Sequence, residues 1–257
     1  MGTDAGSKSR KLFGIIEKAI GNALVTSALL CSMNAFAADE PILFIGDSHV
    51  YGSFGEYLDQ SLRTLPGAQV TSAASCGSDP KWWFTGKPTN CGYFSRTPEG
   101  VTTRMNNHPT PLFPDLMKSS NPRIVVIEHG TNYQGYPLDY VRLGTRKMVA
   151  KIQESRPICV WVGAPTMRSL SPTTVYDPIY KAMAEEIGNA CTLIDSRKVT
   201  SYPAHGGGGI HYDDLGAAGR KITKAWADAV FSVVKKRLAG EALDPEIDHL
   251  YVSPAGK

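Results

Sequence analysis

The sequence predicts an α/β fold: a three-layer α/β/α sandwich built on a five-stranded parallel sheet with strand order 2-1-3-4-5. Two patterns carry this prediction. Short runs such as Ile42-Leu43-Phe44-Ile45, Ile124-Val125-Val126-Ile127 and Ile158-Cys159-Val160-Trp161-Val162 are apolar at every position. Strands covered on both faces have that pattern. Between the runs lie segments with apolar residues at helical spacing, of which Phe54, Tyr57, Leu58, Leu62 and Leu65 form the clearest. Size supports them: 257 residues, 42% hydrophobic and 20% charged, can bury a substantial core. The same composition excludes a disordered tail, a collagen-like repeat and a coiled coil.

Taken in order, residues 1–37 stand apart. Lys8, Arg10, Lys11 and Lys18 form a basic head, an apolar run follows over 23–33, and Ala35-Phe36-Ala37 is an A-x-A cleavage pattern. Together they predict a secretory signal cleaved near Ala37, hence an exported chain, periplasmic or secreted, with no stable membrane span once mature. Cleavage removes four basic and two acidic residues, so a formal charge of +3 becomes +1. Such a balance gives no reason to expect nucleic acid as a partner. Cys76, Cys91, Cys159 and Cys191 remain. An even count in an exported chain predicts disulfides. Three pairings are possible; Cys76–Cys91, closing a short loop, with Cys159–Cys191, linking neighbouring strands, is favoured. The spacings match no zinc pattern, and neither a metal nor another cofactor is expected.

The mature segment, 38–257, reads as a single domain. Its first strand is 42–45, followed by a helix over 54–65 that Pro66-Gly67 stops. A second strand covers 69–73. Residues 78–122 read as an irregular insert near the site, rich in Pro, Asn, Gly and Thr, with Trp82, Trp83, Phe84, Tyr93 and Phe94. Strands at 123–128, 158–162 and 191–194 alternate with helices at 138–153 and 178–187. A long helix over 215–238 carries the stripe Ile222, Trp226, Val230, Val233 and Val234. A polar tail from Gly240 is expected to dock loosely.

In such sheets ligands bind beyond the carboxyl ends of the strands, so the loops that follow them are the places for chemistry. Gly46-Asp47-Ser48-His49 follows the first strand, Ser75-Cys76-Gly77-Ser78 the second, and His129-Gly130-Thr131-Asn132 the third. Gly206-Gly207-Gly208-Gly209-Ile210-His211 precedes the last helix. Ser48 by itself also reads as an ordinary helix N-cap. Four blocks in this order and spacing, over nearly all of 41–238, resemble the SGNH (GDSL-like) hydrolase superfamily. The resemblance implies its flavodoxin-like sandwich and a serine esterase. Ser48 would be the nucleophile and His211 its base. The backbone N–H groups of Ser48 and Gly77 and the Asn132 amide would form the oxyanion hole.

One position departs from the family pattern. The aspartate three residues before the histidine is replaced by Gly208. A Ser48–His211 dyad is one solution; Asp195, Asp213 or Asp214 from a neighbouring loop is another orienter for the imidazole. Trp82, Trp83, His129 and Tyr133 are candidate substrate-lining residues, with packing as the competing role of the aromatic ones. Arg96 and Arg104 read as surface charge, or as partners for an anion. Export, a serine esterase site and an aromatic insert together predict removal of a small acyl group, acetyl above others, from a carbohydrate such as peptidoglycan or another polysaccharide. A lipase or thioesterase, an O-acyltransferase, and a non-catalytic carbohydrate-binding module on the same scaffold are the alternatives.

Overall fold

The four consecutive apolar residues of strand β1 (Glu40–Gly46) divide between two cores. Leu43 and Ile45 join one buried cluster, Ile42 and Phe44 the other, and all four are fully buried. In β7 (Ile124–Glu128) Val125 and Ile127 face the first cluster and Ile124 and Val126 the second; in β8 (Ile158–Val162) Cys159 and Trp161 alternate with Val160 and Val162 in the same way. This is why the runs lack polar alternation: no face of the sheet's centre meets water. The computed structural model describes residues 39–168 and 176–253. These belong to one unit, Asp39–Lys257. The predicted secretory signal at 1–37 lies outside the described residues.

Helices α2 (Ser53–Leu62) and α7 (Ala217–Ala239) cover one face. Phe54, Leu58 and Leu62 meet Trp226, Val230, Val233 and Val234 there. Phe54 stacks on Trp226 with ring centroids 3.7 Å apart. Each fully buried side chain of this kind contributes about 1.5–3 kcal/mol. Helices α4 (Phe113–Ser120), α5 (Leu138–Ser155) and α6 (Asp177–Ile187) cover the opposite face, burying Phe113, Met148, Ile152 and Met183 among others.

Among the described residues the sheet has seven strands rather than the five expected; with β2 at Ala68–Ser75, β4 at Tyr93–Arg96, β5 at Thr102–Met105 and β9 at Thr192–Ile194, their order is β5-β4-β2-β1-β7-β8-β9. The five parallel strands keep the predicted order. The two additions come from the segment read as irregular. β4 and β5 form an antiparallel hairpin against β2. The hairpin is short and half exposed, so it shows little hydrophobic pattern; pairing with β2 makes it a strand. Arg96 anchors it, reaching the buried Asp59 of α2 at 2.7 Å, where Arg63 also binds. Arg96 is therefore neither a free surface charge nor an anion site. Arg104 lies over the rings of Tyr51 and Phe94. The segment also holds the short helix α3 (Trp82–Thr85) and a two-stranded ribbon of β3 (Pro88–Thr89) and β6 (His108–Pro109); α1 is Ser48–Tyr51.

Both favoured disulfides are present, Cys76–Cys91 and Cys159–Cys191. The tail does not dock loosely. Asp248 is buried against Lys236 at 2.6 Å, Leu250 bridges to Ile194, and Tyr251 stacks on Tyr180. Among the described residues no helix is long and apolar enough to cross a membrane.

Candidate active site

Strand β1 ends at Gly46, and the chain turns at once into the single-turn helix α1. A Cβ at Gly46 would lie 2.4 Å from Val50 Cγ2 and 2.9 Å from the Glu128 carbonyl oxygen, so only glycine permits the turn. The N-cap is Asp47, not Ser48: Asp47 Oδ1 accepts the His49 N–H at 2.9 Å. The Ser48 hydroxyl is thereby left for other work. It meets His211 Nε2 at 3.0 Å, across 163 residues of chain. His211 caps the short 3₁₀ turn Tyr212–Leu215 that leads into α7. This separation is hydrogen-bond reach for a nucleophile and its base.

Around the serine, the loops after β2 and β7 converge. Gly77 has φ +75°, a conformation that favours glycine. Neither its N–H nor that of Ser48 has a hydrogen-bond partner among the described residues. The Asn132 amide nitrogen donates to Asp47 Oδ2 at 2.7 Å and to the Ser78 carbonyl at 2.9 Å. Both of its hydrogens are engaged, so in this state Asn132 ties the Ser48 turn to the Gly77-Ser78 loop.

No family model matches the chain. Protein BcsX of Komagataeibacter xylinus is 30% identical over 155 residues, which are 54% of this chain and 56% of that protein. The chain thus spans about half the length of the curated relative it matches. Solved structures align over most of it. LAE5, an alpha/beta hydrolase from the metagenome of Lake Arreo, covers 77% of this chain and 97% of its own at a TM-score of 0.53 and 14% identity. The esterase EstA of Pseudoalteromonas sp. covers 78% and 100% at 0.52 and 14%. The acetyl xylan esterase AlAXEase covers 75% and 98% at 0.50 and 15%. The chain shares the α/β fold of these hydrolases and esterases.

Gly208 stands where the motif pattern that the sequence resembles has an aspartate, and none of the three substitutes expected from the sequence reaches the imidazole among the described residues. Asp195 caps the turn Ser196–Lys198 and pairs with Arg197 at 2.7 Å. Asp213 Oδ2 accepts the Ser53 N–H at 3.0 Å. Asp214 Oδ2 accepts the Gly208 N–H at 3.2 Å, a contact that a Cβ at Gly208 would crowd at 2.8 Å. The acids hold backbone, and backbone contacts hold the histidine loop. Tyr202 Oη donates to the His211 carbonyl at 3.1 Å, and the Arg168 guanidinium donates to the carbonyls of Gly206 and Gly207 at 2.6 and 2.8 Å. Asp195→Ala, Asp213→Ala and Asp214→Ala are each expected to lower kcat by less than about tenfold, against the roughly 10⁴-fold cost of losing a true orienter. Steady-state kinetics of the three variants on a short acyl ester checks this; a large loss in one of them identifies an orienter reached only with substrate bound.

Three of the four residues expected to line the substrate are buried. Trp83 is fully buried, its indole N–H donating to Ser78 Oγ at 3.2 Å. Tyr133 is buried with its hydroxyl 3.3 Å from Thr145. His129 is buried edge-on to Trp83, and burial lowers its pKa to about 3. All three side chains turn under the loop into the core. Trp82 alone stays partly exposed, with Lys87 Nζ 4.2 Å from its ring centroid. His49 is also buried and neutral, its pKa lowered to about 3 by burial.

Three residues at the site escaped the sequence reading. Glu128, wholly buried, lies against Asp47. Tyr136, 44% exposed, stacks on Tyr140 with centroids 4.4 Å apart. Only the distance of Tyr136 and Tyr140 from Asn132, four and eight residues along the chain, signals their place. Glu128 offered one unread signal, an acid closing an otherwise apolar strand.

Proposed function

We propose that this chain is a serine carboxylic ester hydrolase that removes a small acyl group, acetyl above others, from a carbohydrate. The observation that carries the reading is the 3.0 Å contact of Ser48 Oγ with His211 Nε2 beside two unpartnered backbone N–H groups. His211 Nε2 takes the hydroxyl proton as Oγ attacks the ester carbonyl carbon. The carbonyl oxygen becomes an oxyanion held by the N–H groups of Ser48 and Gly77. Release of the Ser78 carbonyl would free one Asn132 hydrogen for the same oxygen. The intermediate collapses, His211 returns its proton to the leaving sugar hydroxyl, and an acyl-serine remains. Water, deprotonated by His211, then attacks the acyl carbon and releases the acid and free serine.

Carbohydrate as the leaving group is supported by three features. AlAXEase, whose fold this chain shares, is an acetyl xylan esterase. Two disulfides suit an exported protein that meets polysaccharide. Tyr136 presents a ring to solvent next to the oxyanion loops: its partner Tyr140 donates to Asp79 Oδ2 at 2.9 Å, one residue beyond Ser78. A ring pinned in this way suits stacking against the apolar face of a sugar.

Purified protein assayed on p-nitrophenyl esters of increasing chain length and on acetylated oligosaccharides tests the reading. The expected result is turnover greatest with acetyl. Tyr136→Ala is expected to raise KM several-fold for an acetylated oligosaccharide and to leave p-nitrophenyl acetate kinetics unchanged, the signature of lost uniform binding. Preference for long acyl chains would favour a lipase, and acyl transfer to added oligosaccharide a transferase. Tight glycan binding without turnover of any short ester would leave the scaffold a binding module.

A further inference from the structure

Behind Ser48 two carboxyl groups are buried together. Asp47 and Glu128 are both fully buried, and the Asp47 N–H approaches Glu128 Oε2 at 3.4 Å. No lysine or arginine pairs with either among the described residues. Their surroundings are unequal. Asp47 accepts the His49 N–H at 2.9 Å and the Asn132 amide at 2.7 Å. Glu128 has only the long approach of the Asp47 N–H to Oε2, 3.4 Å, and its Oε1 has no partner. Two neighbouring buried carboxylates without a cation disfavour ionisation of both. Asp47, with two donors, is the better placed to hold the charge, which leaves the proton to Glu128.

We propose that Glu128 is a positioning residue: as a neutral acid it donates to Asp47, and the chain Glu128–Asp47–Asn132–Ser78 carbonyl locks together the three loops that carry the oxyanion donors. The proposal rests on the hydrolase reading of Ser48 and His211. Its contacts join the end of β7, the turn after β1 and the loop after β2. Ser48 and Gly77 are borne by the latter two, so the spacing of their N–H groups depends on this chain. Burial acts in the same direction, pushing Glu128 well above the usual carboxylate range and Asp47 up to about 6. The other titratable neighbours of the pair, His49, His211 and Tyr176, supply no hydrogen-bond donor side chain to Glu128.

Two substitutions of similar volume separate hydrogen bonding from packing. Glu128→Gln retains a donor toward Asp47 and is expected to keep kcat on p-nitrophenyl acetate within about threefold. Glu128→Leu fills the space without a donor and is expected to lower kcat about 10²-fold, the scale of one lost oxyanion donor, with KM within about twofold. Equal kcat in folded Gln and Leu variants, whether both high or both low, overturns the proposal. Infrared spectroscopy gives a readout independent of turnover and of whether Glu128→Leu folds. At neutral pH the native protein should show the carbonyl band of a protonated, buried carboxylic acid that is missing from Glu128→Gln. Absence of that band from the native protein overturns the proposal even where hydrolysis is confirmed. Its presence in a protein that turns over no ester sustains the shared proton and sinks the hydrolase reading on its own.

Discussion

Ser48→Ala is expected to lower kcat on p-nitrophenyl acetate by about 10⁴- to 10⁶-fold while leaving the protein as stable as before. The two halves of this expectation come from different contacts. The hydroxyl faces His211 Nε2 at 3.0 Å, so its removal takes away the oxygen that attacks in the proposed mechanism. Helix capping, the competing role for a serine after a strand, is already done by Asp47 through the His49 N–H. A cap lost to alanine costs about 1 kcal/mol; Ser48→Ala should change unfolding free energy by less than about 0.5 kcal/mol. Urea unfolding and steady-state kinetics on the same preparation read both. A marked fall in stability with activity retained would make Ser48 structural. His211→Ala should cost nearly as much as Ser48→Ala, and the double variant little more, because the two side chains act as one unit.

Gly219→Ala is expected to destabilise the fold by about 3 kcal/mol or more and to reduce activity with it. In an exposed helix this exchange gains about 1 kcal/mol. Here a Cβ would sit 1.7 Å from the Tyr212 carbonyl oxygen and 3.0 Å from Leu215 Cβ. Backbone cannot rotate away as a side chain can. The turn Tyr212–Leu215 must lift off the first turn of α7, and His211, which caps that turn, moves with it. Chemical denaturation measures the loss. A variant more stable than the native protein would mean that the turn is not packed on α7 as described.

Much of this was legible in the chain. Four apolar residues in a row, bounded by glycine or charge, fit a strand buried on both faces and little else, so β1, β7 and β8 could be read with their order. Ser48 and His211 could be singled out because their blocks, in order with those of Gly77 and Asn132, resemble a known motif pattern and lie in loops of a parallel sheet where ligands bind. The hairpin of β4 and β5 could not. Tyr93-Phe94-Ser95-Arg96 has no strong pattern of its own, and its partner Asp59 lies 37 residues away. Aromatic residue type likewise misled: Trp83 and Tyr133 look like sugar platforms in sequence, yet the loop turns them inward, and Tyr136 is the ring left outside.

The order of the parallel strands was thus determined by the sequence alone, because it rests on local composition and on a topology that permits few arrangements, and the motif blocks singled out Ser48 and His211, which the fold brings to 3.0 Å. Which buried polar groups meet was decided by the tertiary structure. Glu128 is a plain acid at the end of a strand until Gly46 lets β1 turn over it and Asp47 arrives from 81 residues earlier. Gly208 is a missing aspartate until the surrounding acids are seen to bind backbone instead of the imidazole. A charge buried without water must find its partner wherever the fold brings one, and no local pattern records that distance.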